Sequence, residues 1–174
     1  MVNLVLVGFM GTGKTTVGIK LARKFGMKFV DTDHEIEHAT GMSVNDIFEK
    51  YSEVRFRSEE KAAVRRVTRE QGQVIATGGG VVLDPENMEM LKQNGVIVCL
   101  AARPEVIYHR VKRRKTRPLL QTENPLQTIT ELLSLRIPFY ALADYTVDTS
   151  DLLLDEVTVQ VSKIYQEHSS QQRG

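Results

Sequence analysis

The sequence predicts an α/β protein: a three-layer α/β/α sandwich around a central parallel sheet of about five strands. Two observations carry this. Short apolar runs alternate with longer amphipathic ones along the chain, and one run, Val96 to Ala102, is almost wholly apolar, as a central parallel strand requires. A third is the glycine-rich stretch directly after the first apolar run, the usual place for a strand-to-helix turn.

Taken in order, Asn3 to Val7 is the first buried strand. After the glycine-rich turn, Val17, Leu21 and Phe25 share one helix face, and Gly26 ends that helix. Lys28 to Asp31 forms a second short strand. One helix begins near His34, and another follows Ser43, whose hydroxyl can cap it. A long charged helix is predicted from about Glu53 to Gln71, closed by Gly72. Gln73 to Thr77 is the third strand and runs into Gly78, Gly79 and Gly80. Asp84-Pro85 pairs a capping residue with a first-turn proline. A further helix starts around Pro104, and the polar, basic segment from Lys112 to Asn124 is expected to be a mobile loop. Asn124-Pro125 opens another helix, which Pro138 is expected to disturb. Tyr145 to Val147 is a last strand, and Leu154, Val157, Val161 and Ile164 mark a C-terminal helix.

The 174 residues suit one domain, with 41% apolar content for its core. Neither a repeat nor an interdomain linker is visible. With 23 Lys+Arg against 22 Asp+Glu the net charge is +1, which argues against a general nucleic-acid coat and an acidic disordered tail. The single cysteine, Cys99, precludes an intramolecular disulfide and points to a reducing compartment, the cytoplasm. No apolar run reaches the roughly 20 residues that span a bilayer, and no signal peptide is recognisable, so no membrane partner is expected.

The chemistry begins at Gly8-Phe9-Met10-Gly11-Thr12-Gly13-Lys14-Thr15, which fits G-x-x-x-x-G-K-[ST] between a strand and a helix. Glycines let backbone N–H groups converge on a polyphosphate, and the helix N-terminus favours negative charge. Lys14 can reach the terminal phosphates, and the Thr15 hydroxyl can ligate Mg²⁺. Thr16 can add a phosphate contact. The bland alternative, a tight turn with a surface lysine, does not account for strand, spacing and helix together.

Asp31 and Asp33 end the second strand. In an extended chain, residues two apart face the same way, so both carboxylates can meet the crevice at the strand ends. Transfer to an alcohol needs a metal beside the phosphates and a group that orients or deprotonates the hydroxyl. Two acids can divide those tasks; alternatively, Asp33 merely caps the next helix. Arg57, on the long charged helix, is either paired with Glu60 or free to bind an anion. Arg136, beside Pro138, is either solvated or released by a helix break into the cleft. Together they suit a carboxylate. The triple glycine offers a second backbone that something can approach closely. Between Arg103 and Arg117 lie seven Lys or Arg residues, readable as a nucleic-acid patch or as a lid carrying an arginine, Arg117, to the transferring phosphate. The charge balance and the absence of interleaved aromatics weaken the nucleic-acid reading.

The ordered set GFMGTGKTT at 8–16, Asp31/Asp33, Phe56-Arg57, Gly78-Gly79-Gly80, Arg117-Pro118-Leu119-Leu120 and Arg136-x-Pro-x-Tyr140 resembles shikimate kinases over nearly the whole chain. The resemblance implies a nucleoside-monophosphate-kinase-like fold that transfers the γ-phosphate of ATP, with Mg²⁺, to the 3-hydroxyl of shikimate. It implies that Gly11, Thr12, Gly13, Lys14, Thr15 and Thr16 cradle ATP, with Arg110 and the stretch 149–151 near adenine and Arg117 reaching across. Asp33, Arg57, Gly78, Gly79, Gly80 and Arg136 would hold shikimate, Phe48 and Phe56 would wall its ring, and Thr15 with Asp31 would hold the metal. Lys14, Asp33 and Arg117 would be the catalytic set. It further implies one kinase domain over 1–174, a lid at about 112–124, a shikimate-binding helical region at about 33–61, and a monomer. Gluconate and nucleotide kinases, and a catalytically dead ATP-binding module, remain the alternatives. A nucleotide acceptor would want a base-stacking pocket, for which 6% aromatics and no Trp offer little; gluconate is separated only by substrate screening, and the dead module predicts loss of Lys14, Asp33 or Arg117, all present.

Overall fold

The computed structural model describes residues 1–112 and 122–171. Arg117 and the basic run at 113–115 therefore lie outside the described residues, as does most of the expected lid.

Five strands form one sheet, all parallel, in the order β2-β3-β1-β4-β5. They are β1 (Asn3–Val7), β2 (Lys28–Asp31), β3 (Gln73–Ala76), β4 (Gly95–Ala101) and β5 (Tyr145–Asp148). The helices are α1 (Lys14–Phe25), α2 (Thr32–Thr40), α3 (Val44–Lys50), α4 (Glu53–Val67), α5 (Pro85–Gln93), α6 (Pro104–Val111), α7 (Pro125–Tyr140) and α8 (Leu154–Gln171).

Alternation along the strands builds the three layers. Leu4, Leu6, Val74, Val96, Val98 and Leu100 face α1 and α8, meeting Val17, Leu21, Val157, Val161 and Tyr165. Val5, Val7, Ile75, Ile97 and Cys99 face the other way, onto Val64, Val67, Met88, Leu91, Ile107 and Ile129 of α4 to α7. Both faces of the inner strands are covered, which is why they read as continuous apolar runs. Ile36, Ile47, Phe56 and Ala63 form a smaller satellite core where α2, α3 and α4 meet. Among the described residues no helix is long and apolar enough to cross a membrane.

β1 pairs with β3 on one side and β4 on the other, so the connections diverge at its carboxyl end. That end is where open α/β sheets leave a crevice for ligands.

Several sequence expectations are corrected. α2 starts at Thr32, not near His34, because Asp31 is its cap: the Asp31 carboxylate accepts the Asp33 N–H at 3.0 Å. Asp33 thus sits in a helix, and the extended-chain argument for its direction does not apply. α4 stops at Val67 rather than Gln71. There the Thr68 hydroxyl donates back to the Val64 carbonyl at 2.9 Å, and Gly72, at φ +72°, turns the chain into β3. α7 runs through Pro138 to Tyr140 without breaking. The proline lies in the last turn, and the carbonyl it leaves without a helical partner, that of the exposed Ser134, can be met by water. A short 3₁₀ turn, Val81–Leu83, follows the glycines and was not anticipated. β3 and β4 each end one residue earlier than the apolar runs suggest.

Candidate active site

At the end of β1 the chain wraps into the loop Gly8–Thr16. Its glycines at 8, 11 and 13 take positive φ, at +139°, +74° and +99°. A Cβ on Gly8 would collide with the Leu100 carbonyl oxygen, and one on Gly11 would lie 2.6 Å from Val111. Only glycine satisfies both the backbone conformation and the packing. Inside the loop Thr12 donates to the Phe9 carbonyl at 2.9 Å. The buried Lys14 ammonium donates to the carbonyls of Gly8 and Phe9, at 2.7 and 2.9 Å, and is held across the loop. α1 begins at Lys14 with Gly13 as cap and no side-chain cap bond, so its first N–H groups face outward for an anion.

This loop floors a cleft of about 730 Å³. Met10 to Val17 line it, with Asp31, Asp33, His34 and Glu37 from the β2–α2 junction, Thr77, Gly78 and Gly79 after β3, and Arg110, Thr149 and Leu152 to Leu154 opposite. Asp31 and Asp33 do meet there, though by a route other than the one expected: one as the last strand residue and cap, the other from the first helical turn. In the sheet Asp31 lies beside Ala76, which brings the carboxylates next to the glycine turn. The Gly78 N–H donates to the Thr32 hydroxyl at 3.1 Å and fastens the two segments.

Three sets of contacts define the ends of the cleft. The Thr15 hydroxyl donates to Asp31 Oδ2 at 3.1 Å, pairing a hydroxyl and a carboxylate beside the phosphate loop. Among the described residues no group of three or more His, Cys, Asp or Glu side chains is placed to hold a metal. Two hard oxygen ligands fit a Mg²⁺ that takes its other ligands from phosphate and water.

At one end, Arg110 donates to the Thr149 hydroxyl and carbonyl, at 2.9 and 2.7 Å, and to the Gly11 carbonyl at 3.4 Å. Arg110 and Thr149 thus meet on one wall of the cleft. Asp151 does not line the cleft; its carboxylate accepts a bidentate pair from Arg103, at 2.8 and 2.7 Å. Leu152 to Leu154, which do line the cleft, had no sequence signal beyond being apolar.

At the other end, the turn Gly78–Gly80 is surrounded by side chains. A Cβ on Gly78 would lie 2.7 Å from Asp33 Oδ1 and 3.3 Å from Glu60 Oε2. One on Gly80 would lie 2.5 Å from both terminal nitrogens of Arg57, and one on Gly79 would lie 3.5 Å from Arg136 Nη1. Arg57 and Arg136, read separately in the sequence, thus flank one glycine turn, just beyond the side chains that line the main cleft. Arg57 also makes the helical ion pair with Glu60, at 2.8 Å, as the structural reading of it required. The Arg136 guanidinium lies 5.5 Å from the centroid of the Phe9 ring, with no helix break needed to release it. The Phe48 and Phe56 rings stack with centroids 4.5 Å apart; Phe56 is buried and Phe48 is half-exposed.

Glu60 was missed by sequence reasoning as anything but a partner for Arg57. It is 1% exposed, and its Oε2 has no hydrogen-bond partner. Burial pushes its carboxyl above the ordinary range; Arg57 pulls it down and neighbouring Asp33 pushes it up again. Only its position three residues after Arg57 hinted at this, and that spacing is commonplace on exposed helices. Tyr140 was also given no role. It is buried, and its hydroxyl donates to the Gly79 carbonyl at 2.7 Å.

Known proteins with this arrangement agree with one another. The shikimate kinase family pattern matches residues 10–166. The chain is 53% identical over 165 residues to a shikimate kinase of Thermoanaerobacter pseudethanolicus, covering 95% of this chain and 96% of that one. It is 54% identical over 165 residues to that of Caldanaerobacter subterraneus, with the same coverage. Among solved structures, the shikimate kinase of Acinetobacter baumannii in complex with shikimate superposes with a TM-score of 0.91 at 41% identity, covering 97% of this chain and 94% of that one. The phosphate loop, the acid pair and the two arginines around a glycine turn thus find their place: the chain belongs to the shikimate kinase family, phosphotransferases that use ATP to phosphorylate a hydroxyl of shikimate.

Proposed function

We propose that this cleft transfers the ATP γ-phosphate to the 3-hydroxyl of shikimate, with the nucleotide over Gly11–Thr16 and the acceptor against Gly78–Gly80. The observation that carries the reading is the meeting, at one loop, of a phosphate cradle and a carboxylate pair with two guanidinium groups beyond it. Backbone N–H groups of the loop and the α1 N-terminus hold the phosphates, and Lys14 moves from its two carbonyls to the bridging charge. Thr15 and Asp31 would hold Mg²⁺, which screens the phosphate charge when bound. Asp33 orients the acceptor hydroxyl and accepts its proton as the new O–P bond forms. Arg57 and Arg136 bind the acceptor carboxylate, with Gly79 and Gly80 giving it backbone contacts and Phe48 and Phe56 walling the ring. Arg110 sits beside adenine. The reading gives Arg117, outside the described residues, to the transferring phosphate, the lid to about 112–124, most of it likewise outside them, and α2 to α4, about 33–61, to acceptor binding.

The same reading holds the protein to be a cytoplasmic monomer with no nucleic-acid partner. The lone free thiol, Cys99, buried and with its pKa raised by burial to about 11, suits a reducing compartment. A coupled ADP-release assay with shikimate, gluconate and nucleoside monophosphates tests the assignment; turnover confined to shikimate supports it, and turnover on either of the others overturns it. Asp33→Asn should lower kcat by ~10²-fold or more with the fold kept. Unchanged turnover would remove Asp33 from the reaction.

A further inference from the structure

We infer that the Tyr140 hydroxyl is a positioning group for the acceptor, fixing the Gly79–Gly80 peptide and the Arg136 guanidinium as one unit. The inference rests on the acceptor site proposed above.

Tyr140 is the last residue of α7 and is 6% exposed. Its hydroxyl donates to the Gly79 carbonyl across 61 positions of sequence, so the bond ties α7 to the glycine turn. The neighbouring carbonyls are used locally: Gly78 accepts from the Val81 N–H at 3.3 Å, and Gly80 from the Leu83 N–H at 3.0 Å. A trans peptide is planar, and its C=O and N–H point in opposite directions. No described peptide is cis. Holding the Gly79 carbonyl therefore sets the direction of the Gly80 N–H, away from the phenol. Glycine imposes the weakest restraint on its own dihedrals, and three in sequence cannot hold a peptide plane by themselves. The phenol supplies the missing restraint.

The guanidinium proposed as a second anion-binding device lies beside the same glycine. Arg136 lies one turn earlier on α7, and its Nη1 would be 3.5 Å from a Cβ on Gly79. Burial drives the Tyr140 phenol up to about 12, against which Arg136 acts in the opposite direction through charge and hydrogen bonding. The group stays a protonated donor to Gly79 at neutral pH while remaining available as an acceptor to Arg136. One oxygen thus ties α7, which also carries Arg136, to the glycine turn that Arg136 flanks.

Tyr140→Phe keeps the ring and its packing and removes only this oxygen. Steady-state kinetics should show the shikimate KM raised by ~5–20-fold, with the ATP KM within about 2-fold. A purely structural role would instead lower the melting temperature or move both KM values together. Arg136→Ala, run beside it, should raise the shikimate KM further, and the double variant should show less than the product of the two effects. An unchanged shikimate KM in Tyr140→Phe, with a raised one in Arg136→Ala, overturns the positioning role and leaves the acceptor site standing. Unchanged values in both overturn the acceptor site itself. In the unsubstituted protein, shikimate should shift the Gly80 amide resonance; a resonance that does not move also overturns the inference, whatever the stability of the variant.

Discussion

On the proposed reading, the phosphate end and the acceptor end of the cleft are built on different plans. The phosphate end comes from one stretch, Gly8–Thr16, and works through backbone N–H groups whose directions are locked by glycines at positive φ packed against Leu100 and Val111. The acceptor end gathers single residues from four distant segments: Asp33 from α2, Arg57 and Glu60 from α4, Gly78–Gly80 after β3, and Arg136 and Tyr140 from α7. One is a local solution that folding of β1 and α1 delivers whole. The other exists only once α2, α4 and α7 have docked around the glycine turn. The difference teaches where each end should be sensitive: the first to loss of a charge on a fixed frame, the second to loss of the contacts that hold side chains in register.

The largest expected effect tests the first half of that contrast. Lys14→Ala removes a cation from a loop whose shape is set by its glycines, so the loop should stand and the chemistry should fail. Turnover is expected to fall by ~10²–10³-fold, the scale of losing one preorganised charge-stabilising group. Shikimate binding, followed by calorimetry, should stay within about 2-fold. A loss of shikimate binding as large as the loss of turnover would mean the two ends are not separate constructions.

Glu60→Gln probes the second half and carries a sign. The buried Glu60 carboxyl has a raised pKa in the folded protein, from burial first. A folded-state pKa above the unfolded one means the native state holds the proton more tightly. The stability it contributes is complete below its ordinary value of 4.5 and is lost as pH rises through the folded value. Glutamine does not titrate. The melting temperature of Glu60→Gln minus that of the unsubstituted protein should therefore grow more positive between about pH 5 and pH 8. Drift in the other direction would show that Arg57 outweighs burial. The same variant should raise the shikimate KM several-fold, because Arg57 exchanges a charged buried partner at 2.8 Å for a neutral one.

This contrast also explains what the sequence could reveal. The sheet, the order of helices and the phosphate loop were legible because each is signalled by residues close together: alternating apolar runs, caps at Ser43 and Asp84, a glycine pattern between strand and helix. Arg57 and Arg136 were visible as cations, but their meeting around Gly79 and Gly80 is a tertiary fact. The end of α4 and the persistence of α7 through Pro138 turned on where a carbonyl could find a partner, at Thr68 in one case and in solvent in the other. Asp31 and Asp33 both reach the cleft, but for a different reason than the extended-chain spacing, since Asp33 is a first-turn helical residue while Asp31 ends the strand and caps the helix. Glu60 showed in the sequence only as a helical partner for Arg57, and Tyr140 only as part of a motif; the carboxylate and the hydroxyl acquire their further meaning from what α4 and α7 pack against.

The smallest expected effect sharpens the comparison at the nucleotide end, where one wall is not made by the loop. Thr149 and Leu152 to Leu154 border the cleft without any glycine frame of their own. The stretch between them is tied to the start of α6 by Arg103, whose guanidinium grips Asp151 and whose N–H donates to the Ser150 hydroxyl at 2.9 Å. If side-chain contacts matter wherever the backbone is not locked, Arg103→Ala should loosen this wall and raise the ATP KM, leaving the shikimate KM alone. The pair is exposed on both sides, at 52% and 79%, so solvent and salt screen it and the rise should be only ~2–3-fold. The backbone bond to Ser150 survives the substitution and limits the effect further. Adding salt to about 0.5 M should shrink the gap between variant and unsubstituted protein, because a screened pair has less to lose. An ATP KM unmoved at low salt would mean that the phosphate loop alone holds the nucleotide, making that end of the cleft still more local than the contacts around Asp151 imply.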